Sequence, residues 1–310
     1  MKIHKKEKGA ALVEFALLSL VLYVVLAATV DLGRMVFTAQ AVQDAARVGA
    51  RELSVLPLPA AITFDDAVQR CDVWQRVFNP AQLVIDLDTF MTDDDLDAFL
   101  AALPPVNQAL RPLMIVDHVT LDMMPRNFLR YPGALLDAAP PAPPGCPLPP
   151  ASGFGVGIPR ITKRDATGVE TIEWVPILAE VRTDPSADGA ASGPFSIAST
   201  GPQHGLVALM VNYPFQAAMM TSFRPAAPTA DDPLPPNMAN YNIADDAHVS
   251  HDPLDPYPAP SGATLDPGQP TGVYAGRYGL GRQFAFAGKT VRPYRKLITA
   301  QAIYRREVME

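Results

Sequence analysis

The chain has 310 residues, 25 Lys+Arg against 32 Asp+Glu, and a formal net charge of −7. That balance argues against a general nucleic-acid binder, which carries a basic surplus. Apolar residues make up 48% and charged residues 18%, so most of the chain can bury a core, as one large domain or two small ones, and wholesale disorder is excluded. Two cysteines exclude a disulfide-dense scaffold and a four-thiolate zinc site. Proline is the outlier, with 33 residues, roughly twice ordinary usage.

Residues 1–9 read MKIHKKEKG, where Lys2, Lys5, Lys6 and Lys8 against Glu7 leave a local charge of +3. Residues 10–30, AALVEFALLSLVLYVVLAATV, hold one charge, Glu14. As a helix this stretch spans about 30 Å, the thickness of a bilayer core. The basic cluster predicts an N-terminus in the cytoplasm and the rest of the chain outside the inner (cytoplasmic) membrane, in the periplasm. Two plainer readings compete: a cleaved signal peptide, with Ala27 and Ala28 imitating its small-residue site, and an uncleaved anchor. Neither explains Glu14. A carboxylate inside a span costs about 2.5–3.5 kcal/mol on translocon scales, which makes it a functional candidate. The plain alternative is a glutamate that snorkels to the headgroups or sits protonated.

Residues 31–54 extend the helix, since no proline intervenes before Pro57. Leu32, Met35, Ala39, Val42, Ala46, Gly49 and Leu53 recur at spacings of three and four, a helical stripe. Arg34, Gln40, Gln43, Asp44, Arg47 and Arg51 form the opposite face. The pattern predicts one helix over about 10–54. Ala39, Ala46 and Gly49 are the small residues that would let another element pack closely.

Basic residues, then Gly9, then an apolar helix with Glu14 at its fifth position and Phe15 at its sixth resemble the prepilin processing motif of type IVb (Flp, tight-adherence) pilins. VDLGR at 30–34 and AARVGAR at 45–51 add to GAALVEFAL at 9–17, so that about 45 contiguous residues resemble the N-terminal domain of TadE/TadG-like pilus assembly proteins. The resemblance implies that residues 1–9 are a cytoplasmic leader and that a membrane aspartyl prepilin peptidase cuts between Gly9 and Ala10. It implies that Glu14 pairs with the new ammonium of a neighbouring subunit. It also implies a minor pilin or pseudopilin, with the major Flp-type pilin and other TadE/TadG-like minor pilins as partners in inner-membrane lipid. A bitopic periplasmic binding or scaffold protein that is never processed remains the alternative.

Beyond Pro57 the pattern predicts an α+β domain over 55–310 with an antiparallel sheet. Candidate strands lie at 83–87, 113–123, 170–181, 205–213, 283–287 and 296–305, with alternation in MIVDHVTLD and GLVALMVNY. Candidate helices lie at 64–78 and 93–103, the second with Thr92 as N-cap and three aspartates in its first turn. VNYPF at 211–215 and KLITAQAIYRRE at 296–307 resemble the last two strands of TadE-like domains. Proline-rich stretches at about 132–159 and 222–282, the latter with eleven prolines within 222–276, predict irregular insertions.

An extracytoplasmic location permits a Cys71–Cys146 disulfide across about 75 residues, which free thiols would contradict. His248 and His251 sit three apart among aspartates, but a solvated polar loop explains them better than a metal site. The acidic run at 93–97 lacks the glycine and closing glutamate of a calcium loop. No nucleotide-binding loop, zinc-protease helix or nucleophile elbow occurs. The expectation is a protein without catalytic residues, cofactor, metal or nucleic-acid partner.

Overall fold

The computed structural model describes residues 7–121, 124–136, 140–146, 152–164, 170–181, 195–197, 204–216 and 295–307. It opens with helix α1, Glu7–Val55, 49 residues long. The helix ends where Pro57 and Pro59 follow, because proline bars the helical conformation for the residue before it.

The two halves of α1 meet different surroundings. From Leu12 to Val30, twelve large apolar side chains are exposed, among them Phe15 at 69% and Leu18 at 71%. Keeping a set of this size from water is worth on the order of 20 kcal/mol, more than the whole stability of an ordinary domain. That stretch is about 28 Å long. Among the described residues α1 is the one helix long and apolar enough to cross a membrane.

The second half packs as an amphipathic helix. Val42, Ala45, Ala46, Ala50 and Leu53 are fully buried, and Arg34, Gln40, Gln43, Asp44, Arg47 and Arg51 are all exposed. Higher up, the expected stripe leaves the buried face. Leu32 and Ala39 are exposed, while Asp31 and Thr38 are buried. Positions 32, 39, 46 and 53 repeat every seven residues, and such a repeat slides by about 20° per heptad around a straight helix.

Two short helices follow where the sequence suggested one over 64–78. Helix α2 is Phe64–Ala67, with the Thr63 hydroxyl accepting from Asp66 N at 3.1 Å; helix α3 is Cys71–Arg76. Arg70 between them is extended (φ −91°, ψ 146°), and its guanidinium binds Asp72 through two 2.9 Å hydrogen bonds. Helix α4, Asp93–Ala101, has its Thr92 cap accepting from Asp95 N and three aspartates in its first turn. Helix α5 is Pro105–Leu110.

Among the described residues nine strands form three antiparallel three-stranded sheets. In the first, β1 (Val84–Asp86) and β2 (Ile115–Leu121) flank β3 (Met124–Arg130). Ile85 of β1 packs with Leu100 and Leu103 of α4 and its following turn in a small separate core. In the second, β5 (Gly155–Arg164) lies between β4 (Ala134–Leu136) and β6 (Glu170–Val175). Strands β4 and β5 thus occupy the ends of the stretch at 132–159 that was expected to be irregular. Gly133 leads into β4 with φ +153°, and a Cβ there would lie 2.6 Å from Gly157 O. The third sheet is β7 (Leu178–Glu180), β8 (Leu206–Gln216) and β9 (Arg295–Arg305), registered from Leu206↔Arg305 to Gln216↔Arg295.

The candidate strand at 170–181 is therefore two strands in different sheets. Pro176 has no N–H to donate, so the ladder breaks there. Asn212 of β8 bridges the break, its Nδ2 donating to Pro176 O at 2.8 Å and its backbone N–H to Ile177 O at 2.9 Å. Alternate residues Val207, Leu209 and Val211 are fully buried in the main core with α1, α3 and α5. The insertion at 222–282, with His248 and His251, and the candidate strand at 283–287 lie outside the described residues.

Candidate functional site

Gly9 and Ala10 lie in the first turns of α1. Glu14 and Phe15 follow one turn later, both exposed on the apolar half. Ala10 and Glu14 are four residues apart on one helix, so the end created by a cut after Gly9 would sit about 6 Å along the axis from the carboxylate. Four residues apart also places them on one face.

Gly49 lies about 60 Å farther along the helix and is a contact point within the chain. A Cβ at Gly49 would meet Leu209 Cδ2 at 2.7 Å and Val106 Cγ2 at 2.9 Å, so β8 and α5 both close on this position. Ala46 is fully buried beside it, whereas Ala39 is exposed. Cys71 and Cys146 are joined as a disulfide with Cα atoms 5.2 Å apart, which ties the segment 140–146 to the start of α3. The chain therefore holds these residues in three separate places: the membrane half of α1, its core-packed half, and the α3 staple.

Sequence reasoning missed three polar clusters, one that ties the end of β9 to the end of α1 and two inside the body. Arg306, just past β9, is 7% exposed and donates to the carbonyls of Phe195 (3.1 Å), Leu58 (2.7 Å) and Pro59 (3.2 Å). Its guanidinium carbon lies 4.8 Å from the centre of the Phe195 ring, and burial lowers its pKa. Next to it, Glu307 N donates to Ser54 O at 2.8 Å. The second cluster centres on Asn212, whose Oδ1 accepts from the Thr299 hydroxyl at 3.0 Å and whose carbonyl accepts from the Tyr131 hydroxyl at 2.8 Å. Tyr131 is fully buried, and burial, then the neighbouring Tyr213, push its pKa well up. In the third, Asn107 Oδ1 accepts from Asn79 N while Asn107 Nδ2 donates to Asn79 O, both at 2.9 Å. The available signal was the VNYPF and YRRE runs, which contain the central residues of the first two clusters, Asn212 and Arg306.

Among the described residues no group of three or more His, Cys, Asp or Glu could hold a metal ion. The arrangement defines a class: a protein with one apolar helix suited to single-pass membrane anchoring, continuous with an α+β body built around the same helix. Residues 9–51 match a family model described as TadE-like protein. No curated protein and no solved structure matches. The matched segment begins at Gly9 and ends two residues past Gly49. It supports a TadE/TadG-like protein of the Tad pilus system, a family that is generally non-enzymatic and that implies association with Tad pilus components.

Proposed function

We propose that this chain is a minor pilin or pseudopilin of a Tad-type (Flp) pilus assembly system. It is inserted in the inner membrane with its N-terminus in the cytoplasm and its body periplasmic. Prepilin peptidase cuts it after Gly9, leaving Ala10 as the mature N-terminus. The observation that supports this is the TadE-like match over 9–51, a segment that begins at Gly9 and contains Glu14 in the apolar half of α1. Among the described residues the Glu14 carboxylate has no ion pair or hydrogen bond, so a carboxylate exposed on an apolar helix still needs a partner. The ammonium of a cleaved neighbouring subunit supplies one and relieves the cost of both charges. The major Flp-type pilin and sibling TadE/TadG-like proteins are the partners, in priming, assembly or adhesion.

The test is the intact mass and N-terminal residue of the protein from native membranes, with and without the peptidase. A mature start at Ala10 that requires the peptidase is expected. A start at Met1 in both samples would leave an unprocessed periplasmic scaffold on a membrane anchor. Given processing, Glu14→Leu should leave the cut intact and lose assembly; an anchor would tolerate that change.

A further inference from the structure

Residues 137–154 join β4 to β5, whose ends pair at Leu136↔Gly155. Seven of those residues are proline, and proline has no N–H to donate, so the connection is poorly suited to hold itself by backbone hydrogen bonds. In its described part, 140–146, Pro140, Pro141, Pro143 and Pro144 leave only Ala142, Gly145 and Cys146 with an N–H, and that of Cys146 turns back to Pro143 O at 3.1 Å. The Cys71–Cys146 disulfide therefore pins the middle of the connection to α3. The two ends of the bond differ in firmness. Cys71 begins α3, where Val73 and Trp74 are buried and the Trp74 indole N–H donates to Val68 O at 2.7 Å. On the other side, Pro141, Ala142, Pro144 and Gly145 are exposed.

What the pinned segment flanks is a cavity of about 480 Å³, bounded also by α2, the 3-10 turn at Pro80–Leu83, β5 and β7. Pro140 lines it together with Phe64, Phe78, Leu83 and Ile177, none of them more than 7% exposed. We propose that the disulfide is a redox-operated latch. Oxidised, it holds residues 140–146 against the cavity; reduced, it releases them from α3 and opens the cavity to water while the rest of the body stays folded. The reductant is a dithiol. Two electrons and two protons pass to the chain: the S–S bond breaks, Cys71 and Cys146 each gain a thiol hydrogen, and the dithiol closes to its own disulfide. Both cysteines are half-buried rather than sealed in the core, a position that a small dithiol can reach. The proposal is independent of cleavage after Gly9 and of the pilus reading.

The test uses the full chain in lipid nanodiscs in three forms: oxidised, reduced with dithiothreitol that is then removed without air, and C71S/C146S. Each is labelled by the carbene from a small water-soluble diazirine and read residue by residue by mass spectrometry. Labelling of Phe64, Phe78 and Ile177 should rise several-fold in the reduced chain and in C71S/C146S. Leu100 and Leu103, in the separate small core, should label equally in all three forms. Reoxidation should return the reduced chain to the oxidised pattern. Unchanged labelling of the cavity residues in either the reduced chain or the variant would overturn the proposal, because the segment would then keep its place without the bond. So would a matching rise at Leu100 and Leu103, which would make the bond a staple of the whole body. A disulfide that dithiothreitol does not reduce in the folded chain, or an opened pattern that reoxidation does not reverse, would overturn it as well.

Discussion

Gly49→Ala tests whether the second half of α1 is closed on the sheet as tightly as its geometry indicates. The added Cβ would meet Leu209 Cδ2 at 2.7 Å and Val106 Cγ2 at 2.9 Å. Carbon contacts are comfortable at about 3.5 Å or more, so the leucine must retreat by about 0.8 Å and the valine by about 0.6 Å. Leu209 and Val106 are both fully buried, and Val106 is β-branched with little rotamer choice. Overpacking of this kind costs about 1–3 kcal/mol, and replacing a helical glycine by alanine returns about 1 kcal/mol. The net expectation is a loss of about 1 kcal/mol, or about 2–4 °C in Tm for a body of this size. Gly33→Ala in the same helix is the control, because nothing lies within 4 Å of a Cβ there. It should leave Tm unchanged or raise it. The assay is thermal unfolding of the full chain in detergent, followed through the fluorescence of buried Trp74. Leu209→Ala opens space at a cost of about 2–5 kcal/mol, and in that background Gly49→Ala should become neutral. If Gly49→Ala is as stable as Gly33→Ala in the parent chain, the close approach is wrong.

Replacing Cys71 and Cys146 by serine should lower stability by up to about 4 kcal/mol, the chain-entropy value for a loop of this length; unfolding with and without reductant measures it. Arg306→Met should cost about 2–4 kcal/mol, because the carbonyls of Leu58, Pro59 and Phe195 lose their donor; the denaturation midpoint reports it. Asp72 has its pKa lowered, first by its hydrogen bond from Arg70. Its contribution is therefore present in full above the ordinary aspartate value of about 4 and is lost as pH falls through the lower folded value. Asp72→Asn should lower stability at pH 7, where that contribution is present in full, and flatten the acid limb of the stability–pH curve below pH 4.

The features read correctly from sequence are those with a local cause. An unbroken apolar run, the absence of proline before Pro57 and a polar face at 34–51 are enough to define α1. Thr92 and the three aspartates after it define the start of α4. Alternation places β8, where Val207, Leu209 and Val211 face the core. What sequence hid has causes across the fold. The split of 64–78 depends on Arg70 binding Asp72 rather than continuing a helix. The break at Pro176 matters because Asn212, 36 residues away, takes over the hydrogen bonding. Arg306 reads as a polar strand end, yet 248 residues separate it from Leu58. The proline-rich stretch conceals β4 and the start of β5 because its strand residues show little alternation. At the candidate site, Gly9, Glu14 and Gly49 are visible as residue types, but only packing shows that β8 and α5 close on Gly49.

The continuity of α1 also fixes an angle. No loop separates its lipid-facing stretch from the residues that carry the body, so the body has no independent swivel. Each residue of α-helix turns the chain by about 100° and advances it 1.5 Å. The azimuth of the sheets around the membrane normal is thus set by the number of residues between Val30 and Val42. Adding one residue there would swing the body through more than a quarter turn while lifting it barely at all, whereas adding seven would nearly restore its heading and raise it by about 10 Å. The helix acts as a crankshaft: whatever fixes the rotation of its apolar half also fixes the heading of the body.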